Sequence, residues 1–398
     1  LMPIALSSRI ALASAASLCA QAFFGLLMLR LFSPADVGRF TVVGQIGFFW
    51  MTLALAQSPL SFLANLHIAP AQALRRALVS SLRRWLVLLP VAVAALWMSG
   101  LSLIQFLPWA AAMALLQMAW YMAQPWALRT ASGRSAALVR AVPPIAAVMF
   151  GVVLGQLWPA SGATGLLLAA TCSYAIGAMW LLQPTAASDS PPPNLAHTHS
   201  PTPSPAQADD RSAGLRLAHT VADAVAGTAL LLVWHRAYGT AEASYLGVLL
   251  RLLGLFPAVV HAAWPPLRLS RGQQRKAVSL WVGCAGALCT AGGGLVVFAA
   301  LRWGWIAPSW QALTGYLLPL VLWQGCACVF AALGHFPFQR GMARKFSQAA
   351  IGFNALQLIV LGAPLALDAL APVTHIWWVA STSATGLLAL AAWFIRKT

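Results

Sequence analysis

Charged side chains are scarce in this sequence. Only 8% of its 398 residues are Asp, Glu, Lys or Arg, whereas about 25% is usual for a soluble globular protein. Acidic residues are rarest, and Asp36 is the only one before Asp189. Because 60% of the residues are hydrophobic, the composition excludes a water-soluble globular domain and indicates an all-α integral membrane protein with many spans.

Sequence patterns that bind metals, cofactors or ATP are also missing. The six cysteines form no CxxC pair and lie in apolar segments, where we interpret them as small core side chains. No P-loop, HExxH or GxSxG pattern is present. We therefore expect no metal, no cofactor and no enzymatic activity. We also expect no nucleic-acid partner, because we attribute the net charge of +17 to membrane topology.

Long apolar runs are what the sequence has in abundance. Windows of about 20 residues predict twelve transmembrane helices, since hydrocarbon offers exposed backbone groups no hydrogen-bond partner. The predicted spans are 10–30, 40–64, 85–99, 102–124, 141–158, 162–183, 216–235, 245–265, 279–301, 312–334, 348–367 and 375–395.

Lys and Arg are distributed unevenly between the loops. Most of the 24 cations fall in one alternating set of loops, and cations accumulate on cytoplasmic loops. The distribution predicts a multi-pass membrane protein with both termini in the cytoplasm. The opposite set of loops holds few cations, namely Arg30, Arg39, Arg236 and Arg302.

A Pro- and Ser-rich segment interrupts the apolar pattern at mid-chain. It has almost nothing to bury, so we predict a disordered cytoplasmic linker over 184–214. The linker divides the chain into an N-terminal six-helix bundle, 1–183, and a C-terminal six-helix bundle, 215–398.

One charged heptad occurs twice, each time at the end of an apolar run. RLFSPAD at Arg30–Asp36 returns 206 residues later as RAYGTAE at Arg236–Glu242. An even number of predicted helices separates the copies, so both have the same orientation. This arrangement predicts a parallel repeat of two bundles about an axis normal to the membrane.

The heptad and its surroundings resemble a known family, the Wzx-type O-antigen flippases of the MATE-like MOP superfamily of polysaccharide exporters. The turn between the first two predicted helices, LFSPADVGRF at Leu31–Phe40, is similar to the turn of that family, whereas the second copy, AEASY, is one residue shorter than its counterpart. The second half carries residues like those of the family's seventh and eighth helices, at Asp223, Tyr245, Arg251, Leu252 and Pro257.

The resemblance implies a MATE-like fold and a flippase or exporter for an undecaprenyl-diphosphate-linked oligosaccharide in the bacterial inner membrane. Its partners would be this lipid-linked oligosaccharide, membrane lipids and polysaccharide polymerase or chain-length machinery. Two alternatives stay open. One is a cation-coupled drug or metabolite antiporter of the same architecture, and the other is a membrane-embedded glycan polymerase or ligase that uses Asp368 or His375.

Arg251 is the sharpest candidate for a substrate ligand. It lies inside the eighth predicted span, about 9 Å from the helix end at 1.5 Å per residue. An arginine at that depth either extends to the interface or faces a cavity or a partner. The repeat offset pairs it with Gln45, and we predict that both side chains line a lumen and bind an anionic diphosphate or a glycan.

Asp223 and three arginines near the predicted periplasmic ends of the helices are further candidates. His219 lies one turn before Asp223 on the same helix face, and the two either bind a coupling ion or hydrogen-bond to neighbouring helices. Arg30, Arg39 and Arg236 either pair with Asp36 and Glu242 or extend the basic path for the substrate, since the arginine fork suits phosphate. Trp120, Tyr121 and Trp126 would stack on sugar rings if they lined the lumen.

Overall fold

The computed structural model describes residues 2–56, 58–64, 68–130, 133–182, 210–271, 276–367 and 370–396. All regular secondary structure within these ranges is helical. The first half contains α1 (Met2–Leu31), α2 (Pro34–Leu55), α3 (Ser58–Ala64), α4 (Pro70–Val87), α5 (Leu89–Ser99), α6 (Leu103–Thr130), α7 (Gly133–Leu157) and α8 (Gly162–Ala178). The second half contains α9 (Asp210–Tyr238), α10 (Thr240–Leu253), α11 (Leu255–Arg271), α12 (Lys276–Arg302), α13 (Thr314–Leu333), α14 (Phe336–Gln339), α15 (Ala343–Leu361) and α16 (Pro372–Arg396).

Each of the twelve predicted spans overlaps a helix or a pair of consecutive helices. Within the described ranges, eight segments are long and apolar enough to cross a membrane, or nine if α4 and α5, which meet at 46°, form one bent span. The three predicted spans outside this set correspond to α2 with α3, α9 and α15. These helices carry Gln45, Asp223 and Asn354, whose polar side chains line cavities and lower the apolar character of the helices.

Several predicted boundaries are wrong. α9 begins at Asp210, inside the segment predicted as linker, while 184–209 lie outside the described residues. Most of α4 falls in a predicted loop, but it is a helix with a charged face and an apolar face. α10 begins at Thr240, five residues before the predicted start at 245. At 1.5 Å per residue, Arg251 therefore lies about 16 Å along the helix, deeper than predicted.

The helix contacts of the first half recur in the second. α1 packs on α7 as α9 packs on α15, and α2 packs on α6 as α11 packs on α13. α8 contacts α6 and α7, and α16 likewise contacts α13 and α15. The halves meet mainly where α2 packs along α10, with smaller contacts of α9 against α2 and α5. The main hydrophobic core draws buried side chains from both halves.

Candidate functional site

The first heptad forms the turn that starts α2. Ser33 is the N-cap, Pro34 occupies the first helical position, and Ser33 Oγ accepts a hydrogen bond from the Asp36 backbone N–H at 3.2 Å. The Ser33 hydroxyl also donates to the Asp36 carboxylate at 2.6 Å. A capping serine followed by proline is a strong start signal for a helix. Asp36 further accepts from the Ala163 backbone N–H at the start of α8, at 3.2 Å.

The second heptad forms the equivalent turn before α10. α10 begins 206 positions after α2, and Gly239 stands at the N-cap where the first copy has Ser33. Gly239 has a φ of +89°, a conformation that favours glycine. Glu242, in the first turn of α10, accepts a hydrogen bond from the Tyr316 hydroxyl of α13. The two heptads are therefore the same structural element with different side-chain partners.

Several hydrogen bonds between the halves lie at this end of the molecule, which we term the closed end. Arg30 donates to the backbone carbonyls of Gly304 and Trp305, at 3.3 and 2.8 Å. The Trp310 indole donates to the Phe32 carbonyl at 3.1 Å. The His235 ring lies 2.8 Å from the Ser99 carbonyl through Nδ1. These contacts join α1 and α5 to the second half.

Three predicted ligands lie at the closed end rather than in the cavity wall. Arg30 is engaged with the carbonyls after α12. Arg39 forms an exposed ion pair with Asp36, with 3.4 Å between nitrogen and oxygen. Arg236 is exposed in the last turn of α9. The local ion-pair interpretation is therefore right for Arg39, whereas Glu242 bonds to Tyr316 rather than to an arginine.

A cavity of about 460 Å³ lies beneath the closed end, between the halves. Arg251 of α10 and Gln45 of α2 both line it, as the repeat offset predicts. The Arg251 guanidinium lies over the Phe40 ring, 5.4 Å from its centre, and the Gln45 amide donates to the Thr228 hydroxyl of α9 at 3.1 Å. Arg251 thus faces a cavity rather than the lipid.

The rest of the cavity wall combines amides and aromatic rings. α6 contributes Gln117, Trp120 and Tyr121, which are one helical turn or less apart. Trp120 stacks on Tyr174 of α8 with 5.6 Å between ring centres, and its indole donates to the Val139 carbonyl. Trp126, the third predicted stacking residue, packs instead against Phe62.

Gln117 and Tyr174 also line the cavity, although neither was predicted from the sequence. The signal was available for Gln117, because a glutamine in an apolar helix at i−4 from Tyr121 marks a polar face. For Tyr174 there was no such signal, since only the packing of α8 on α6 brings it to the cavity.

Asp223 lies in a separate pocket of about 150 Å³ within the second half. Its carboxylate accepts from the Asn354 amide of α15 at 2.5 Å and lies 3.3 Å from Nε2 of His219. Gln357 also lines this pocket and donates to the Ser383 hydroxyl of α16. The predicted pairing of His219 and Asp223 on one helix face is therefore present, and Asn354 is the partner that the sequence did not indicate.

Gly227 lines both cavities. A methyl group added at this glycine would meet no atom within 4 Å, so the backbone of α9 is open to free space here. In the described part of the chain, no group of three or more His, Cys, Asp or Glu is placed to hold a metal ion. His375 is fully buried and contacts the Tyr238 hydroxyl, and Asp368 lies outside the described residues.

Two solved structures have a similar fold. A lipid II flippase MurJ in an inward closed conformation superposes with a TM-score of 0.63 at 12% identity, covering 98% of this chain and 87% of that one. An inward-facing multidrug resistance MATE family transporter of the MOP superfamily gives a TM-score of 0.52 at 12% identity, covering 96% and 94%. The chain has the fold of these membrane transporters. No protein-family model and no curated protein matches the sequence.

Proposed function

We propose that this protein is a flippase that moves an undecaprenyl-diphosphate-linked oligosaccharide across the bacterial inner membrane. The observation that carries the proposal is Arg251, a cation in a cavity between two helical halves that has no carboxylate among its described lining residues. A buried positive charge without a protein counter-ion is suited to an anionic ligand. The flippase named among the fold relatives supports a lipid-linked substrate.

The chemistry of the cavity wall fits such a headgroup. The arginine fork can donate two parallel hydrogen bonds to phosphate oxygens. Gln45 and Gln117 offer amides to sugar hydroxyls, and Trp120 and Tyr121 offer ring faces and edges. A volume of about 460 Å³ accommodates a diphosphate with part of its glycan. The lipid tail would remain in the bilayer beside the seam between the halves.

We further propose that twelve spans form two six-helix bundles that rock about this cavity. The recurring helix contacts and the equivalent starts of α2 and α10 support the duplication. Under the predicted topology, with both termini cytoplasmic, the closed end faces the periplasm. Alternating access then requires the contacts of Arg30 and Trp310 to break when the cavity opens outward. The protein would act without catalysis, beside polymerase or chain-length machinery.

The direct test uses purified protein in liposomes that contain a fluorescent undecaprenyl-diphosphate-linked oligosaccharide. Quenching by a membrane-impermeant reductant measures how much of the lipid reaches the outer leaflet. We expect the labelled lipid to cross the bilayer faster in liposomes with the protein than in empty liposomes. Unlabelled lipid-linked glycan should slow this movement by competition. A rate equal to that of empty liposomes under every imposed ion gradient would contradict the proposal.

The second candidate function is a cation-coupled antiporter for a drug or metabolite. The observation that favours it is the pocket around Asp223, where one carboxylate meets an amide and an imidazole. Such a cluster can hold a proton or a small cation within the membrane. A fold relative that is a multidrug transporter is compatible with this function. The pocket would equally serve a flippase driven by an ion gradient. Only a measurement of the transported cargo therefore distinguishes the antiporter from the flippase.

Replacing Asp223 with asparagine should abolish the dependence of transport on an ion gradient while the protein still folds. The amide keeps the size of the carboxylate but removes its charge, so the cation loses its ligand. The measurement is the transport rate in liposomes with and without a sodium or proton gradient, for the glycan lipid and for a cationic dye. We expect at least a tenfold loss of gradient stimulation for whichever cargo is native.

Gln357→Glu is the matched control for that experiment. It places a new carboxylate in the same pocket, about one helical turn from Asn354. In the Asp223→Asn background it should restore part of the gradient dependence if the pocket binds a cation. Full gradient dependence in Asp223→Asn alone would remove this residue from the coupling mechanism.

A further inference from the structure

A third cavity, of about 370 Å³, lies away from the central one, between α3 and α4. Among the described residues, the polar side chains that line it carry guanidinium and hydroxyl groups. They belong to Arg76, Arg84, Ser58, Ser61 and Ser80. No carboxylate is among the described lining residues, so the positive charge of the two arginines is not neutralised within the cavity.

Arg84 is fixed in the wall of this cavity. Its Nη2 donates to the Leu55 carbonyl at 3.2 Å and to the Ser58 and Ser81 hydroxyls. Its Nε is buried and has no partner among the described residues. A buried donor that lacks an acceptor is costly and rare in proteins. The guanidinium is therefore held in place with donor capacity to spare, as a binding site for an anion requires.

A third arginine, outside the lining, anchors two residues of the cavity wall. Arg129 at the end of α6 donates to the carbonyls of Phe62 and Ile68, and its guanidinium lies 5.0 Å from the centre of the Phe62 ring. Phe62 and Ile68 both line the cavity. Phe62 and Ile68 are thus tied to α6, and Ser58 is tied to Arg84, so these parts of the cavity wall are preorganised.

The helix that carries Arg76 and Arg84 also presents an exposed apolar stripe. Val79, Leu82 and Leu86 are exposed on α4 at helical spacing. α4 bends by 46° into the more apolar α5. A helix with an exposed apolar stripe beside a cationic face is typical of the boundary between lipid acyl chains and headgroups. An amphiphile could therefore lie on this stripe with its headgroup at the cavity.

We propose that the cavity between α3 and α4 binds the phosphate group of an anionic amphiphile. Arg76 and Arg84 supply the charge, Ser58, Ser61 and Ser80 supply hydroxyls, and the α4 stripe contacts the acyl chain. The same polar groups would also accept a free inorganic phosphate or diphosphate, and the experiment separates the two sources. This site lies outside the central cavity and does not depend on the proposed transport function.

The experiment titrates full-length protein in a neutral detergent with phosphatidylglycerol, and separately with inorganic pyrophosphate, and counts bound molecules by native mass spectrometry. We expect phosphatidylglycerol to bind, and Arg76→Gln and Arg84→Gln each to weaken it at least tenfold. If pyrophosphate also binds and its binding is weakened by the same arginine substitutions, the cavity accepts a phosphate group in solution as well as one on a lipid. If only phosphatidylglycerol binds, the acyl contact is required and the ligand is a lipid.

The adjacent arginines are matched controls. Arg75→Gln and Arg83→Gln remove the same charge from the same helix but do not line the cavity, so they should change binding by less than twofold. Ser61→Asp keeps the bonds of Arg84 and adds a carboxylate to the cavity, so it should abolish binding even if Arg84→Gln fails to fold. Equal loss in all four arginine variants, or no binding of either probe, would overturn the proposal.

Discussion

Replacing Arg251 with alanine is expected to reduce transport of the diphosphate-linked glycan by roughly 10- to 100-fold. A hydrogen bond to a charged group contributes about 1.5–3 kcal/mol, and 1.4 kcal/mol corresponds to a factor of ten. Since Arg251 is the only Lys or Arg that lines the cavity among the described residues, no neighbouring cation can replace it. The measurement is the initial flipping rate in liposomes at equal protein content, or surface glycan in cells at equal expression.

Two further substitutions separate phosphate recognition from general loss of charge. Arg251→Lys retains the charge without the planar fork, so we expect intermediate activity, because bidentate bonding is lost. Arg236→Ala removes a cation from the exposed end of α9 and should leave the rate within twofold. Wild-type transport by Arg251→Ala would show that the headgroup binds elsewhere.

The sequence predicted the helical architecture because its signals are local. Each span needs only a run of apolar residues, and the heptads at Arg30 and Arg236 carry their own helix-start signals. The offset between them even placed Gln45 opposite Arg251, since a duplicated unit brings equivalent positions to the same depth. α4 was not predicted as a helix because its four arginines lower the average hydropathy to the level of a loop. These arginines, Arg75, Arg76, Arg83 and Arg84, belong to an amphipathic helix.

The partners of the charged residues could not be predicted in the same way. Arg30 bonds to carbonyls 274 and 275 positions away, and Asp223 bonds to Asn354, 131 positions away. Such contacts depend on how helices pack, which no local pattern encodes. The sequence made both Arg30 and Arg251 candidate ligands and favoured Arg251 because it lies inside a predicted span. Tertiary contacts distinguish them, because Arg30 is engaged with the closed end while Arg251 faces the cavity.

Replacing Gly38 with alanine is expected to open the closed end. A Cβ atom at Gly38 would overlap the Thr240 carbonyl oxygen, which belongs to the backbone of α10 and cannot rotate away. Overpacking costs about 1–3 kcal/mol. If only the closed conformation bears this cost, the equilibrium shifts by roughly 5- to 150-fold towards the open one. The measurement is the rate at which Gln45→Cys reacts with a membrane-impermeant thiol reagent added at the closed end, in protein whose six native cysteines are replaced.

Gly44→Ala is the matched control, because a Cβ there would lie at an ordinary 3.6 Å from the Met113 side chain and should leave the reaction slow.

A second contact of α2 with α10 tests the same mechanism. A Cβ at Gly247 would overlap the γ-methyl of Thr41, so Gly247→Ala should also accelerate labelling, and adding Thr41→Ser, which removes that methyl, should reverse the effect. The reversal is expected only if the clash with this one methyl group forces the helices apart. Labelling of the Gly247→Ala, Thr41→Ser double variant as fast as that of Gly247→Ala alone would therefore contradict steric opening between α2 and α10.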